Sequence, residues 1–329
     1  MSAQHKTNSK EALEVSVKLG DIKHVAVIGA GLMGLPIGME FARFGYPVSL
    51  YNTKEASSKK AMETASKEFD LMVEGQLITA EQAKVAYQRL RPTTNLEDAA
   101  EGADYVVESV FDQLALKQEV FAKLDEICSP PTILATNTTA LRVTDIASKA
   151  KHPERILLTH YFEPPHVIPL VEVGKGEKTD QQVVELVTQL LRKMRKKVVI
   201  VPIDVTRGVG GTRLQGGLGT EVRRMFDEWG YTPQMIDDIM TFGFGRRLAW
   251  TGNFHRQDLI GLDFFYNSAK ERGQEVWRPI GERVERGELG MKSGKGWYEW
   301  PGDAAEKFNC RYKLGLMWLL KRDMDEGAI

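Results

Sequence analysis

The chain has 329 residues, enough for two domains, or one large domain with additions, and for a substantial buried core. Hydrophobic residues make up 42% and charged residues 27%, and 44 Lys and Arg stand against 45 Asp and Glu, for a formal net charge of −1. That balance excludes the broad basic footprint of a nucleic-acid binder, and no apolar run is long enough to cross a membrane. Cys128 and Cys310 lie far apart in sequence and fit reduced thiols in a cytoplasmic protein better than a disulfide framework. Residues 1–20 are polar and mix Lys with Glu. They lack the apolar centre of a secretory signal and the acid-poor character of a transit peptide, so they read as a flexible arm with one helical turn from Ser9 to Val17.

The first strand is expected from Ile22 to Ile28, running straight into Gly29-Ala-Gly31-Leu32-Met33-Gly34. Gly29 permits a tight turn, Gly31 lets a pyrophosphate approach the backbone, and Gly34 lets the following helix pack closely on the strand. Leu35, Met39 and Ala42 mark that helix, whose N-terminus offers free N–H groups to phosphates. Gly45 ends it, and Pro47 to Tyr51 is a second strand. The glycine pattern alone is weak, but a strand before it, a helix after it and a second strand at the right distance make it a dinucleotide site. Asn52, Thr53 and Lys54 follow the second strand, at the place where an acid usually holds the ribose hydroxyls.

Ser57 to Arg89 reads as a polar helical hairpin broken at Gly75, with Thr79 and Gln82 as a capping box for its second arm. A short helix is expected at Leu96 to Ala100, a strand at Asp104 to Val110, and a helix carrying Leu116, Val120, Leu124 and Ile127. Further strands are expected at Pro131 to Ala135, Arg155 to His160, Leu170 to Val173 and Lys197 to Val201, with a helix from Gln181 to Met194. The alternation implies an α/β, Rossmann-type parallel sheet with helices on both faces and a helical-hairpin insertion, covering residues 21–205.

Strands then stop, and a boundary is placed near Thr206. Residues 206–300 read as an all-α second domain, with helices from Gly210 to Glu228, from Pro233, and between Asp258 and Arg286. Lys292 to Trp300 reads as a basic glycine turn leading into a short aromatic strand. Residues 301–329 form a helical extension with Phe308, Tyr312, Leu316 and Leu319 at helical spacing.

His160 and Glu172 are the leading chemical candidates. A carboxylate beside an imidazole fixes its tautomer and stabilises the protonated ring, which can then take or return a hydroxyl proton. A buried His satisfied by a backbone carbonyl, with Glu172 in a surface pair, is equally compatible with the spacing. Asn137 and Thr139 follow a strand and could face the same crevice, or simply cap a turn. Glu108 ends a strand where a cofactor would pass, with Lys117 on the next helix; a solvated charge is the plainer reading of Glu108. His166 reads as a loop residue rather than a ligand. No His or Cys cluster has metal-ligand spacing, and no activated-serine elbow is present.

The chain resembles the 3-hydroxyacyl-CoA dehydrogenase family from Ile22 to Trp300. The matching stretches are Val27 to Gly34, Ala103 to Glu108, Thr136 to Leu141, His160 to Pro165, Ile168 to Val173, Arg207 to Arg213, Asp258 to Asp263 and Lys292 to Tyr298. Pro164-Pro165 with Ile168-Pro169, and the tail beyond Trp300, are similar to the branch containing L-gulonate 3-dehydrogenase and carnitine dehydrogenase. The resemblance implies that His160 is the acid/base and Glu172 orients it. It also implies that Thr139 takes the place of a substrate-binding Ser, and Thr212 that of an Asn. That last exchange replaces an amide with one short hydroxyl. It further implies a nicotinamide cofactor and a homodimer. Gly29, Gly31, Leu32, Met33, Gly34, Asn52, Thr53, Lys54, Glu108, Lys117 and Asn137 are the residues expected around the cofactor. Asn52 lacks the negative charge that would repel a 2′-phosphate, and Lys54, Lys59 and Lys60 could attract one. This leans the expectation towards NADP and leaves NAD open.

Three functions are compatible with these residues. One is oxidation or reduction of a 3-hydroxyacyl-CoA. Another is the same chemistry on a free hydroxy acid, as in the gulonate and carnitine branch. The third is a dinucleotide-binding or structural protein that has lost catalysis, for which Thr212 is the main argument and the His160–Glu172 pair the main objection.

Overall fold

A computed structural model describes residues 18–202, 204 and 208–329. The helical turn expected at Ser9 to Val17, most of the N-terminal arm, the boundary at Thr206 and Arg207 lie outside the described residues. Two compact units are present, the first ending at Gly217 and the second running from Leu218 to Ile329.

The first unit begins with β1 (Val25–Ile28), α1 (Gly34–Arg43), β2 (Val48–Tyr51), α2 (Glu55–Glu74), α3 (Ala80–Gln88) and β3 (Leu90–Thr93). It continues through α4 (Leu96–Ala100), β4 (Tyr105–Glu108), α5 (Leu114–Ile127), β5 (Ile133–Thr136), α6 (Val143–Ile146) and β6 (Ile156–Tyr161), and then β7 (Leu170–Lys175), α7 (Gln181–Lys193) and β8 (Lys197–Ile200). The eight strands pair in the order β3-β2-β1-β4-β5-β6-β7-β8. The period-two alternation of strand side chains divides the core between the two faces of the sheet. Val25 and Val27 join Phe41, Phe69, Val187 and Leu191 on one face, and Ala26 and Ile28 join Phe121, Leu124 and Ile146 on the other.

The helical hairpin forms with the expected cap: Thr79 Oγ1 accepts from Gln82 N at 3.2 Å, and Gln82 Oε1 from Thr79 N at 2.9 Å. The left-handed residue at its turn is Gln76, φ 57°, rather than Gly75.

Three features differ from the sequence reading. First, β3 is an extra strand containing Pro92, which has no N–H to give a ladder, and it is accordingly an edge strand. Second, the sheet is parallel except that β7 runs antiparallel to β6. A parallel pairing needs a crossover of about a dozen residues or more, and the loop 162–169 is too short for one. Third, Lys292 to Trp300 makes only isolated bridges, at Gly290–Lys295 and Lys295–Glu299. The N–H groups of Trp297 and Tyr298 go instead to the buried Asp258 carboxylate at 2.9 and 3.0 Å, and Trp300 Nε1 joins them at 2.8 Å. A side chain that takes these donors leaves no ladder to build.

The second unit is helical. The helix α8 (Gly210–Trp229) begins in the first unit and is followed in the second by α9 (Pro233–Asp238), α10 (Gly245–Leu248), α11 (Asn253–Ile260), α12 (Leu262–Glu271), α13 (Arg278–Glu285) and α14 (Ala304–Asp325). Within this unit α14 packs close to α10: a Cβ on Gly315 would stand 2.2 Å from the Trp250 indole, and Arg246 pairs with Asp323. Among the described residues no helix is long and apolar enough to cross a membrane.

Candidate active site

The C-terminal ends of β1, β4, β5 and β6 open on a cavity of about 1910 Å³. Its floor is the glycine turn. Gly29 has φ +96°, and a Cβ there would stand 2.8 Å from Ser109 O; a Cβ on Gly34 would stand 2.1 Å from Gly29 O. Among the described residues nothing lies within 4 Å of where a Cβ on Gly31 would be. The turn is therefore closed on the protein side and open on the side a phosphate would approach. The first turn of α1 has no side-chain cap and no acidic residue, so its N-terminus is free to meet an anion. Leu32 and Met33 line the cavity beside it.

Asn52, just past β2, also lines the cavity. Its Nδ2 is buried and meets no hydrogen-bond partner among the described residues. A buried amide donor is costly unless something accepts from it, and a ribose hydroxyl or a 2′-phosphate would. Thr53 and Lys60 line the same wall, whereas Lys54 is exposed and heads α2 outside the lining. These residues fit a dinucleotide.

Glu108 and Lys117 form an interior pair. Lys117 Nζ donates to Glu108 Oε1 at 2.7 Å, and their side chains are 1% and 0% exposed. Val110 N also donates to Oε1, and Thr136 Oγ1 donates to Oε2, both at 2.7 Å. The carboxylate is therefore saturated by the protein, contrary to the solvated charge that was the plainer sequence reading. Lys117 reaches the cavity wall. Asn137 ties β5 to its two neighbours: its Oδ1 accepts from Tyr161 N of β6 at 2.9 Å and its Nδ2 contacts Ser109 Oγ, just past β4, at 3.3 Å.

His160 and Glu172 face each other directly across the β6–β7 ladder. Directly opposed residues point to the same face of a sheet, so the antiparallel turn brings the two side chains together. His160 Nδ1 lies 3.0 Å from Glu172 Oε2, both residues are buried, and His160 lines the cavity. Glu172 Oε1 accepts from Gly211 N at 2.9 Å. With Nδ1 engaged by the acid, Nε2 is the ring nitrogen left for a substrate proton.

Thr139 and Thr212 line the same cavity. Thr139 N donates to Asp112 Oδ2 at 3.2 Å, and Thr138 Oγ1 to Asp112 Oδ1 at 2.5 Å, so Asp112 holds the loop that presents Thr139. The Thr212 methyl packs on Gly208, where a Cβ would stand 2.8 Å from it.

Two further clusters went unread in the sequence. Lys196 Nζ donates to Pro165 O at 2.6 Å and Ile168 O at 3.2 Å, and pairs with the buried Glu40 at 3.1 Å. Burial pushes the Lys196 ammonium below its usual range, and Glu40 pulls it back. His166 is buried in the cavity wall, with Nε2 3.2 Å from Glu68 of α2, so the loop after His160 is fastened from two sides. A lone Glu on a helix and a Lys before a strand carry no local signal that they will meet. Burial pushes the Cys128 thiol up to about 11, which leaves no thiolate nucleophile there at neutral pH. Among the described residues no three His, Cys, Asp or Glu are placed to hold a metal.

Residues 24–205 match the model of the 3-hydroxyacyl-CoA dehydrogenase NAD-binding domain, and residues 208–300 that of the 3-hydroxyacyl-CoA dehydrogenase C-terminal domain. The chain is similar to the peroxisomal bifunctional enzyme of Homo sapiens, 30% identical over 321 residues, covering 89% of this chain and 43% of that protein. It thus spans less than half the length of that relative. It is also similar to 5-formyl-3-hydroxy-2-methylpyridine 4-carboxylate 5-dehydrogenase of Mesorhizobium japonicum, 29% identical over 283 residues, covering 84% of this chain and 90% of that one. Among solved structures, the 3-hydroxyacyl-CoA dehydrogenase of Archaeoglobus fulgidus superposes with a TM-score of 0.73 at 32% identity, covering 90% of this chain and 99% of that chain.

Proposed function

The chain belongs to the 3-hydroxyacyl-CoA dehydrogenase family, and on that premise we propose that it interconverts a β-hydroxy acyl-CoA and its β-keto form with a nicotinamide cofactor. The observation that carries this reading is the His160–Glu172 contact at 3.0 Å in the wall of the cavity whose floor is the glycine turn. In the oxidative direction His160 Nε2 accepts the hydroxyl proton as the carbon becomes a carbonyl, and Glu172 stabilises the resulting imidazolium. In the reductive direction the same nitrogen returns the proton to the carbonyl oxygen. The Thr139 hydroxyl steadies that oxygen, and Thr212, which lines the same cavity, has a shorter reach than an amide. The bound nicotinamide supplies the hydride acceptor or donor. The glycine turn and the α1 N-terminus would hold its pyrophosphate and Asn52 its ribose, with Lys117 and Asn137 lining the same cavity.

For the cofactor, the neutral Asn52 leaves a 2′-phosphate unrepelled, and Lys60, rather than Lys54, is the cation on the cavity wall. NADP is therefore the slightly favoured form, with NAD the alternative that the NAD-binding-domain model supports. A homodimer remains the expected assembly, by family likeness.

A second reading keeps the chemistry and replaces the thioester with a free acid. It is favoured by the similarity to the Mesorhizobium dehydrogenase, whose name gives a pyridine carboxylate as its substrate, and by the resemblance of the Pro164-Pro165 stretch to the gulonate and carnitine branch. One experiment tests both: nicotinamide absorbance followed across 3-hydroxyacyl-CoA thioesters and the matching free acids, with NAD and with NADP. Turnover of thioesters alone supports the first reading, and of free acids alone the second. No turnover in any arm removes both and leaves a dinucleotide-binding protein without catalysis.

A further inference from the structure

The turn that opens α8 carries Gly210 and Gly211 in succession, and neither has a positive φ. Backbone freedom therefore does not require them, and glycine in a helix costs stability relative to alanine. Space does require them. A Cβ on Gly210 would stand 2.8 Å from Glu172 Oε1. A Cβ on Gly211 would stand 2.2 Å from Cζ and 2.6 Å from Cε1 of the Phe162 ring. Phe162 in turn meets His160 edge-on, with ring centroids 5.0 Å apart and planes at 62°. Meanwhile Gly211 N holds the Glu172 oxygen that His160 does not use.

We propose that Gly210 and Gly211 are positioning residues for the proton-transfer pair. Their bare backbone lets the first turn of α8 close on Glu172 from one side and gives Phe162 the notch from which it wedges the His160 ring. Each member of the pair is thus steered by something outside it: the acid by a peptide N–H, the imidazole by an aromatic ring whose place depends on a missing side chain. This proposal rests on the reading of His160 as the acid/base. It goes beyond that reading by assigning the orientation of the pair to two residues that do not line the cavity.

The test is Gly211→Ala, alone and combined with Phe162→Ala, beside Phe162→Ala and the parent. Turnover, dinucleotide affinity and the NMR titration of the His160 imidazole are measured on each. In Gly211→Ala kcat is expected to fall on the order of 100-fold, as a misplacement of about 1 Å at a reacting group can cause. Dinucleotide affinity should stay at the parent's value, and the His160 titration should move. The double variant should return to the level of Phe162→Ala alone, because removing the ring removes the clash. A single variant that fails to fold, and is returned to the folded state by Phe162→Ala, supports the proposal equally. Parent-like kcat and titration in Gly211→Ala would overturn it. So would a double variant no better than the single one, or one that stays unfolded when Phe162→Ala alone folds. A parent that turns over nothing defeats the dehydrogenase reading, and the NMR titration still decides this one.

Discussion

Two buried acid–base pairs stand at the same end of the sheet, and they are spent differently. Glu108 at the end of β4 takes an ammonium, a backbone N–H and a hydroxyl, and every one of those donors belongs to the first unit. Glu172 on β7 takes a backbone N–H and one nitrogen of His160, whose ring lines the cavity. The first pair is a closed circuit, with nothing left for an incoming molecule except the flank of Lys117. Among the described residues the second is open at one nitrogen. Burial and short distances are common to both, so neither identifies a reaction centre; the unfilled position does.

This contrast can be broken by substitution, and the largest expected effect is at the open pair. His160→Ala should lower kcat by about 100- to 10,000-fold, the range for loss of a general acid–base group, while dinucleotide affinity measured by fluorescence titration stays unchanged. Turnover that survives would place proton transfer elsewhere. At the closed pair the loss should appear as stability. Glu108→Gln leaves the buried Lys117 ammonium with only Val110 O and the more distant Asp112 carboxylate, 3.6 Å away, and should cost about 3–5 kcal/mol in urea unfolding. Glu108→Gln combined with Lys117→Met should recover most of that, and a double variant no more stable than the single one would contradict the closed-circuit account. The smallest effect extends the comparison to Asn52, whose Nδ2 has no internal acceptor among the described residues. Asn52→Asp should shift the NADP-to-NAD ratio of kcat/KM towards NAD by about tenfold, the size of a charge interaction at a partly screened site. An unchanged ratio would mean that this side chain does not read the ribose.

What the sequence made legible follows from how local the causes are. The glycine turn is encoded in six neighbouring residues whose conformations and close approaches are individually demanding, so Gly29 and Gly34 stand where the pattern puts them. The Thr79 cap is equally local. The antiparallel turn of β7 was not read, because buried strands such as Leu170-Val171 look alike in either direction. β3 was missed because Pro92 argues against a strand except at an edge, and edge position is a property of the whole sheet. The expected aromatic strand at Lys292 to Trp300 gave way to Asp258, a residue far back in the chain that takes its N–H groups. His160 and Glu172 are paired in the sequence by their places near strand ends and the chemistry a carboxylate lends an imidazole, and are favoured as a pair by the family resemblance. What brings them face to face is strand register, which depends on the turn between them.

That register also bears on how the chain can change. A hairpin between consecutive strands closes its contacts over a short stretch, at small entropic cost. Lengthening a surface loop elsewhere in this chain therefore leaves the spacing between imidazole and carboxylate intact. Inserting or deleting a single residue inside β6 or β7 turns one of the two to the opposite face of the sheet. Descendants of this chain are free to remodel what they hold in the cavity, provided that one short span of ladder is inherited without a slip.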